Sequence, residues 1–390
     1  MSLASRFPEK LLSDTPTARL QYFREYTIAH PLLLTAHQNL LRAIREPADA
    51  GLIFVFGPTG VGKTTLKRHI EGELTKAALP ELERNPGRIP FASMEVVAPD
   101  SGSFSWRDYY RRALSALAEP FPEHTVKRLP HDRDRQGDVY IGGASATALR
   151  LRLEQAIRHR QPVAFINDEA QHLTKMASGR RLQDQLDCIK SLASLTGTVH
   201  VLLGTYELLA CRNLSAQLSR RALDIHFPRY RLDRKDDVEA FQRALWSFEH
   251  HLPLEKQTDL VQHWEFCYEC TRGCIGILKG LLAHALADAL SEGRHAVTLD
   301  LLQRRALSRS QWATIEADAA HGEAQFGIGA SSPNHGQDES RAPVDHIVST
   351  DEAGAAGTES LVPAIRRGPP RRVGQRNPIR DPVGEHKRAG

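Results

Sequence analysis

At 390 residues the chain has room for two folded modules, or for one large module with appendages, and its 41% hydrophobic content is enough for a sizeable core. A net charge of only +4 carries no whole-chain argument for a nucleic-acid partner, so local clusters must carry it. No stretch nears the roughly 18 consecutive apolar residues of a membrane span, Met1 to Leu11 has no long apolar run, and the five cysteines are an odd number, so the expectation is a soluble, cytosolic protein with reduced thiols and no membrane partner.

In chain order, residues 1 to about 30 are polar and mixed, with a short helical signal from Ala18 to Tyr26. Residues 31–46 open on a proline and carry Leu32, Leu33, Leu34, Leu40, Leu41 and Ile44, a spacing that predicts an amphipathic helix. Leu52–Phe56 is an apolar run read as a buried parallel strand. A helix is predicted from Thr65 to about Ala78, closed by Pro80, Asn85, Pro86 and Gly87. Further strands are expected at Pro90–Val97, Val163–Ile166, Val199–Leu203 and Leu223–Phe227. Helices are expected at Trp106–Leu117, Ala144–His159 and Arg181–Leu195, with a broken one over Tyr206–Arg221. Pro120–Gly143 reads as a long loop or short hairpin.

This alternation predicts an α/β fold, a mostly parallel sheet with helices on both faces. From Asp236 to about Arg309 no convincing strand remains, and helices are suggested near 236–251, 256–270, 275–291 and 298–309. The expected organisation is an N-terminal extension over 1–30, a nucleotide-binding domain over 31–232, a small helical lid domain over 233–310 and a tail over 311–390. The tail is read as disordered, acidic first and basic at its end.

The richest chemistry lies between the first strand and its helix. Gly57-Pro58-Thr59-Gly60-Val61-Gly62-Lys63-Thr64 matches the phosphate-loop pattern G-x-x-x-x-G-K-[ST] in full, and Thr65 follows it into the helix. The glycines let successive backbone N–H groups point inward to cradle phosphate oxygens, and the helix adds its N-terminal dipole. Lys63 would reach the β- and γ-phosphates of ATP, and the Thr64 hydroxyl would hold Mg²⁺.

A second motif, Val163-Ala164-Phe165-Ile166-Asn167-Asp168-Glu169, ends another apolar strand. Asp168 there can organise the Mg²⁺ shell, and Glu169 can polarise the water that attacks the γ-phosphate. Thr205, at the end of Leu202-Leu203-Gly204-Thr205, either senses the γ-phosphate or caps the helix that follows. Arg220 and Arg221 in Gln217-Leu218-Ser219-Arg220-Arg221 are either a finger that reaches a nucleotide in a neighbouring subunit or a surface Arg pair.

Together, Gly57 to Thr65, the strand Phe91 to Val97 ending in Pro99, Asn167-Asp168-Glu169-Ala170-Gln171-His172-Leu173, Leu203-Gly204-Thr205-Tyr206-Glu207-Leu208 and Gln217 to Arg221 resemble the AAA+ ATPases of the TniB/TnsC type, regulators of DNA transposition. The resemblance spans roughly residues 30 to 310. It implies slow, regulatory ATP hydrolysis and ATP-driven assembly of a homo-oligomeric ring or filament on double-stranded DNA. It also implies recruitment of a transposase and a bridge to a target-selecting partner, sometimes a CRISPR effector. Lys63 and Thr64 carry over as nucleotide and Mg²⁺ ligands, Asp168 and Glu169 as the second motif, Thr205 as the first sensor, and Arg220 or Arg221 as the trans-acting finger. One departure is Gly276, in Gly273-Cys274-Ile275-Gly276-Ile277-Leu278-Lys279, where such proteins often carry a sensor arginine. Only Lys279 or Arg272 is near enough in sequence to substitute. A secretion- or signalling-type ATPase switch that does not bind DNA is the alternative, since Asp-Glu-Ala-Gln-His-Leu resembles those ATPases too.

For DNA, the resemblance points to the helix with Arg107, Arg111 and Arg112 and the following loop with Thr125, Lys127 and Arg128, or that face is simply solvated. His263, Cys267, Cys270 and Cys274 invite a zinc reading, against which stand their helical setting and the general burial of free cysteines.

Overall fold

Five short, mostly apolar segments build one sheet. In the computed structural model, which describes residues 6–47, 51–99, 104–118, 145–175, 180–212 and 222–326, these are β1 (Leu52–Phe56), β2 (Ala92–Glu95), β3 (Ala164–Asp168), β4 (Val199–Gly204) and β5 (Ala222–His226). They pair in the order β2-β3-β4-β1-β5, and every pair is parallel. β1, β3 and β4 are buried at every position, which is why they read as unbroken apolar runs rather than as alternation. All described residues fall within the first of two compact units, Met1–Ser332.

Side chains leave the two faces of the sheet alternately. Ile53, Val55, Ile166, Val201 and Leu203 pack beneath α2 (Pro31–Arg45) and α3 (Lys63–Arg84). Phe54, Phe56, Phe165 and Leu202 pack on the opposite face against α4 (Trp106–Ala116), α5 (Ala146–Arg160) and α6 (Arg180–Thr196). A four-residue helix, α7 (Leu209–Arg212), follows β4. The α/β class, the parallel sheet and the helices on both faces are thus as the strand pattern predicts.

A helical region follows the sheet: α8 (Lys235–His250), α9 (Trp264–Thr271), α10 (Ile275–Ser291) and α11 (Leu299–Arg305). Along α10, Leu278, Leu282, Ala285, Leu286 and Ala289 recur at helical spacing and form its buried side. The segment expected as one helix over 256–270 is instead a 3-10 turn, Leu260–His263, running into α9. Among the described residues no single helix is long and apolar enough to cross a membrane. The bent pair Leu260–Thr271 and Ile275–Ser291, at 114°, passes only when its two parts are taken together.

Three segments carry more structure than the sequence pattern alone suggests. Residues 6–30, within the expected N-terminal extension, pack on the helical region. Their helix α1 (Pro16–Glu25) inserts Phe23 into the helical region edge-on to Phe248, and Tyr22 bonds His251 at 2.7 Å. The first long helix does not stop near Ala78 but runs through Pro80 to Arg84. Proline there removes one backbone donor at an exposed position, where water can satisfy the freed carbonyl. Finally, α12 (Arg309–Gln325) occupies the first part of the segment read as a disordered tail. It docks through Glu316, Gly322 and Glu323, through Trp312 beneath Arg272, and through Phe326 at its C-terminal end against Phe56, and its own hydrophobic periodicity is weak.

Candidate functional site

The phosphate loop lies between β1 and α3, where the chain turns from a buried strand into a helix N-terminus. Gly60 and Gly62 adopt φ of +75° and +116°, a region in which a side chain is strained, so glycine is the residue that lets this turn close. Pro58 accepts a bond from the Val61 N–H at 3.4 Å, and Gly57 donates to the carbonyl of Gly204 at 3.3 Å, which ties the loop to the end of β4. Thr59 is exposed and Val61 buried. Lys63 is the first residue of α3. Its ammonium is buried and donates to the carbonyls of Gly57 and Pro58, each at 2.9 Å. Burial draws its pKa down to about 8, against the pull of the Glu169 and Asp168 carboxylates.

β3 delivers the acidic pair to the same spot. Asp168 accepts from the Thr64 hydroxyl at 3.3 Å, and the same oxygen lies 3.3 Å from the Lys67 ammonium. Two hard oxygen donors brought together beside a phosphate loop fit Mg²⁺, which binds through one or two carboxylates plus phosphate and keeps several waters. Glu169 follows in a left-handed conformation, φ 53° and ψ 33°, uncommon for a residue with a side chain. Thr205, at the end of β4, donates its N–H to Gln171 Oε1 at 3.3 Å, while its hydroxyl is buried without a partner. Lys63, Thr64, Asp168, Glu169 and the Thr205 loop therefore converge at the carboxyl ends of three adjacent strands, β1, β3 and β4, the usual ligand crevice of such sheets.

The helical region closes over this crevice. Gly276 lies so near the phosphate loop that an added β-carbon would stand 2.5 Å from the Gly60 carbonyl oxygen, and a β-carbon added at Gly60 would in turn run into the Ile277 side chain. The two residues considered as substitutes for the sensor arginine are engaged elsewhere. Lys279 donates to the Arg24 carbonyl at 2.6 Å, and Arg272 lies over the Trp312 ring at 4.0 Å and 3.8 Å from Glu316.

Sequence reasoning passed over several residues here. A small cavity beside the loop is lined by Ile28, His30, Val61, Gly62, Thr65 and Ile275, so part of the presumed extension belongs to the site. The signal was the apolar Ile28 directly ahead of a proline-led helix. Lys67, one turn beyond Lys63, was also legible. Gln171 was noted only as part of a longer motif.

Arg107 and Arg111 are exposed one turn apart on α4, and Arg112 beside them pairs with Asp108 at 2.7 Å. This helix packs by β2, at the sheet edge three strands from β1. Thr125 and Lys127, and both finger candidates Arg220 and Arg221, lie outside the described residues. Of the cysteines, Cys267, Cys270 and Cys274 are buried and unpaired, and among the described residues no three His, Cys, Asp or Glu side chains come together as a metal site.

A five-stranded parallel sheet of this order, with a phosphate loop after β1 and an Asp-Glu pair at the end of β3, on the far side of the central strand β4, defines a phosphate-loop nucleotide-binding protein. Residues 45–212 match the family model described as an AAA domain. No curated protein matches the chain. Among solved structures it is similar to the ORC1 protein of Aeropyrum pernix in complex with DNA, with TM-score 0.52 and 16% identity over 77% of this chain and 70% of that one. It is also similar to the Aeropyrum pernix ORC2 protein in its ADP form, with TM-score 0.48 and 15% identity over 73% and 71%. At such identity the likeness concerns the fold alone.

Proposed function

We propose that this protein is an ATP-hydrolysing regulator that assembles with copies of itself on double-stranded DNA and licenses DNA transposition in the manner of the TniB/TnsC regulators. The observation that carries the ATPase part is the meeting of Thr64 and Asp168 at 3.3 Å beside the buried Lys63 ammonium, with Glu169 next in the chain. ATP is the substrate. Its triphosphate fits the N-terminus of α3, where the first N–H groups and the helix dipole favour anions. Lys63 exchanges its carbonyl partners for phosphate oxygens. Thr64 and Asp168 would hold Mg²⁺, which neutralises charge on those oxygens. Glu169 accepts a proton as water attacks the γ-phosphorus and the bond to the β–γ bridging oxygen breaks, releasing ADP and phosphate. The partnerless Thr205 hydroxyl suits a sensor at that crevice, and Arg220 or Arg221 is the candidate finger offered to a neighbouring copy.

The DNA part is supported by the exposed Arg107–Arg111 pair, with Thr125 and Lys127 in the segment that follows, and by the fold shared with a protein whose structure contains DNA. The transposase, and a target selector such as a CRISPR effector, rest on the motif resemblance of Asp168–Leu173 and Leu203–Leu208. Electron microscopy of the purified protein with duplex DNA, with and without a non-hydrolysable ATP analogue, tests the assembly. Rings or filaments that need both ligands support it, and monomers in every condition sink it. Failure of the assembled form to stimulate strand transfer by a transposase encoded with it would remove the transposition part alone.

A further inference from the structure

Glu169 is held from three sides. Its N–H donates to Asp168 Oδ1 at 3.0 Å, and its carbonyl accepts from the His172 N–H at 3.0 Å. Its carboxylate accepts from Gln171 Nε2 at 2.5 Å. A side-chain-bearing residue in the left-handed region persists only where its surroundings over-determine it, and such residues cluster at functional sites.

Gln171 is buried and faces two groups with opposite needs. The Glu169 carboxylate can only accept, and the Thr205 N–H can only donate. A primary amide answers both at once, Nε2 to Glu169 and Oε1 to Thr205, and these partners fix which way the amide points. β4 makes room for the bridge. At Gly204 an added β-carbon would stand 2.6 Å from Gln171 Oε1.

We propose that Gln171 is a positioning residue that aims the Glu169 carboxylate and couples it to the strand end at Thr205. The inference rests on the ATPase reading above, with Glu169 as the group that takes the proton. Gln171 touches neither water nor phosphate in this role. It sets the rotamer of Glu169 and makes any displacement of the Thr205 loop felt at that carboxylate.

The variants Gln171→Leu and Gln171→Glu separate this role from mere packing. Gln171→Leu removes both bonds. Gln171→Glu keeps an acceptor for Thr205 but loses the donor to Glu169, and sets two carboxylates against each other, which raises the pKa of one of them. For full-length protein with Mg·ATP and duplex DNA, both variants are expected to lower kcat by about 10- to 100-fold, with KM and the affinity for a fluorescent ATP analogue within about threefold of wild type. Gln171→Glu is further expected to regain activity as pH falls from 8 to 6, because a protonated Glu at 171 again donates to an ionised Glu169. A packing defect has no reason to follow that profile.

Glu169→Gln is the control that distinguishes the two claims. If it abolishes turnover while both Gln171 variants, folded by thermal melt, keep kcat within twofold of wild type, the positioning role is overturned and the ATPase reading stands. If wild type does not hydrolyse ATP, or Glu169→Gln leaves hydrolysis unchanged, the ATPase reading falls and the positioning role falls with it.

Discussion

Gly276 at the start of α10 meets Gly60 of the phosphate loop backbone to backbone, with no room for a methyl group: a β-carbon at 276 would stand 2.5 Å from the Gly60 carbonyl oxygen and 3.1 Å from its carbon. Neither neighbour is the far end of a flexible side chain, so the helix itself must move. Gly276→Ala is therefore expected to lift α10 from the loop. Overpacking of this kind costs about 1–3 kcal/mol, and if the strain falls on the nucleotide-bound form, affinity for ATP drops roughly 10- to 100-fold. Titration with a fluorescent ATP analogue measures this directly. Gly276→Arg is expected to bind no better than Gly276→Ala, since the position lacks space before it lacks charge.

Arg229 joins three parts of the chain. Its guanidinium donates five hydrogen bonds: two to Glu316, two to Glu323 and one to the Arg272 carbonyl. It is 7% exposed, and the Glu323 side chain is 9% exposed. The bonds from Arg229 hold the Glu316 carboxyl below its ordinary pKa. Removing one member of a buried ion pair leaves the other without compensation, so Arg229→Met should lower unfolding stability by about 3–5 kcal/mol. Adding Glu323→Leu should recover a large part of that loss. Urea unfolding of the single and double variants, read as a double-mutant cycle, provides the check.

Legibility in the sequence followed the kind of interaction. β1, β3 and β4 were readable because they are buried on both faces and carry apolar runs, and the phosphate loop was readable because its glycines and Lys63 occupy fixed spacings. The meeting of Thr64 with Asp168 followed once both motifs sat at strand ends of one parallel sheet. What escaped depends on partners distant in the chain. α12 is anchored by Glu316 and Glu323 to Arg229, and a glutamate does not advertise its partner. Its start was nevertheless written locally, in the capping box of Ser308 and Gln311. Phe23 and Ile28 looked like scattered apolar residues in a polar extension because the surface they cover is made by α8 and α10. Gln171 escaped because its role depends on the left-handed turn at Glu169.

The thiols of the helical region are expected to be inert. Burial pushes Cys267 and Cys274 up to about 12 and raises Cys270 as well. A thiol at that value holds roughly three orders of magnitude less thiolate at neutral pH than a free cysteine. Native protein treated with an aromatic disulfide reagent should be modified at none of the three until it unfolds, as read by peptide mass mapping. A zinc chelator should leave the melting temperature unchanged. A fall of several degrees on chelation would return the cysteine cluster to the role of a metal site.

Acid sensitivity should centre on His200. Its ring stacks on Phe165 inside the sheet at 5.2 Å, and neither nitrogen has a hydrogen-bond partner. Burial draws its pKa down to about 4, and the same cause brings His30 to about 4. The unfolded chain takes up these protons near pH 6.5, whereas the folded chain refuses them until about pH 4. Stability from each histidine is thus complete above pH 6.5 and is lost as pH falls from there toward 4. Glu249 runs the other way. Burial pushes it up to about 7, so between pH 7 and its ordinary value near 4.5 the folded state gains a proton that the unfolded state lacks, and acid stabilises it there. One carboxyl therefore offsets about one histidine, and a net loss toward low pH remains. His200→Phe keeps the ring and its stack on Phe165 while removing the titration. It should match wild type at pH 7.5 or exceed it, and its advantage should grow by roughly 3 kcal/mol at most on going to pH 4. Glu249→Gln should steepen the acid limb instead. Urea midpoints taken every half pH unit for the three proteins decide it, and parallel curves for wild type and His200→Phe would mean that His200 takes up its proton as readily in the folded chain as in the unfolded one.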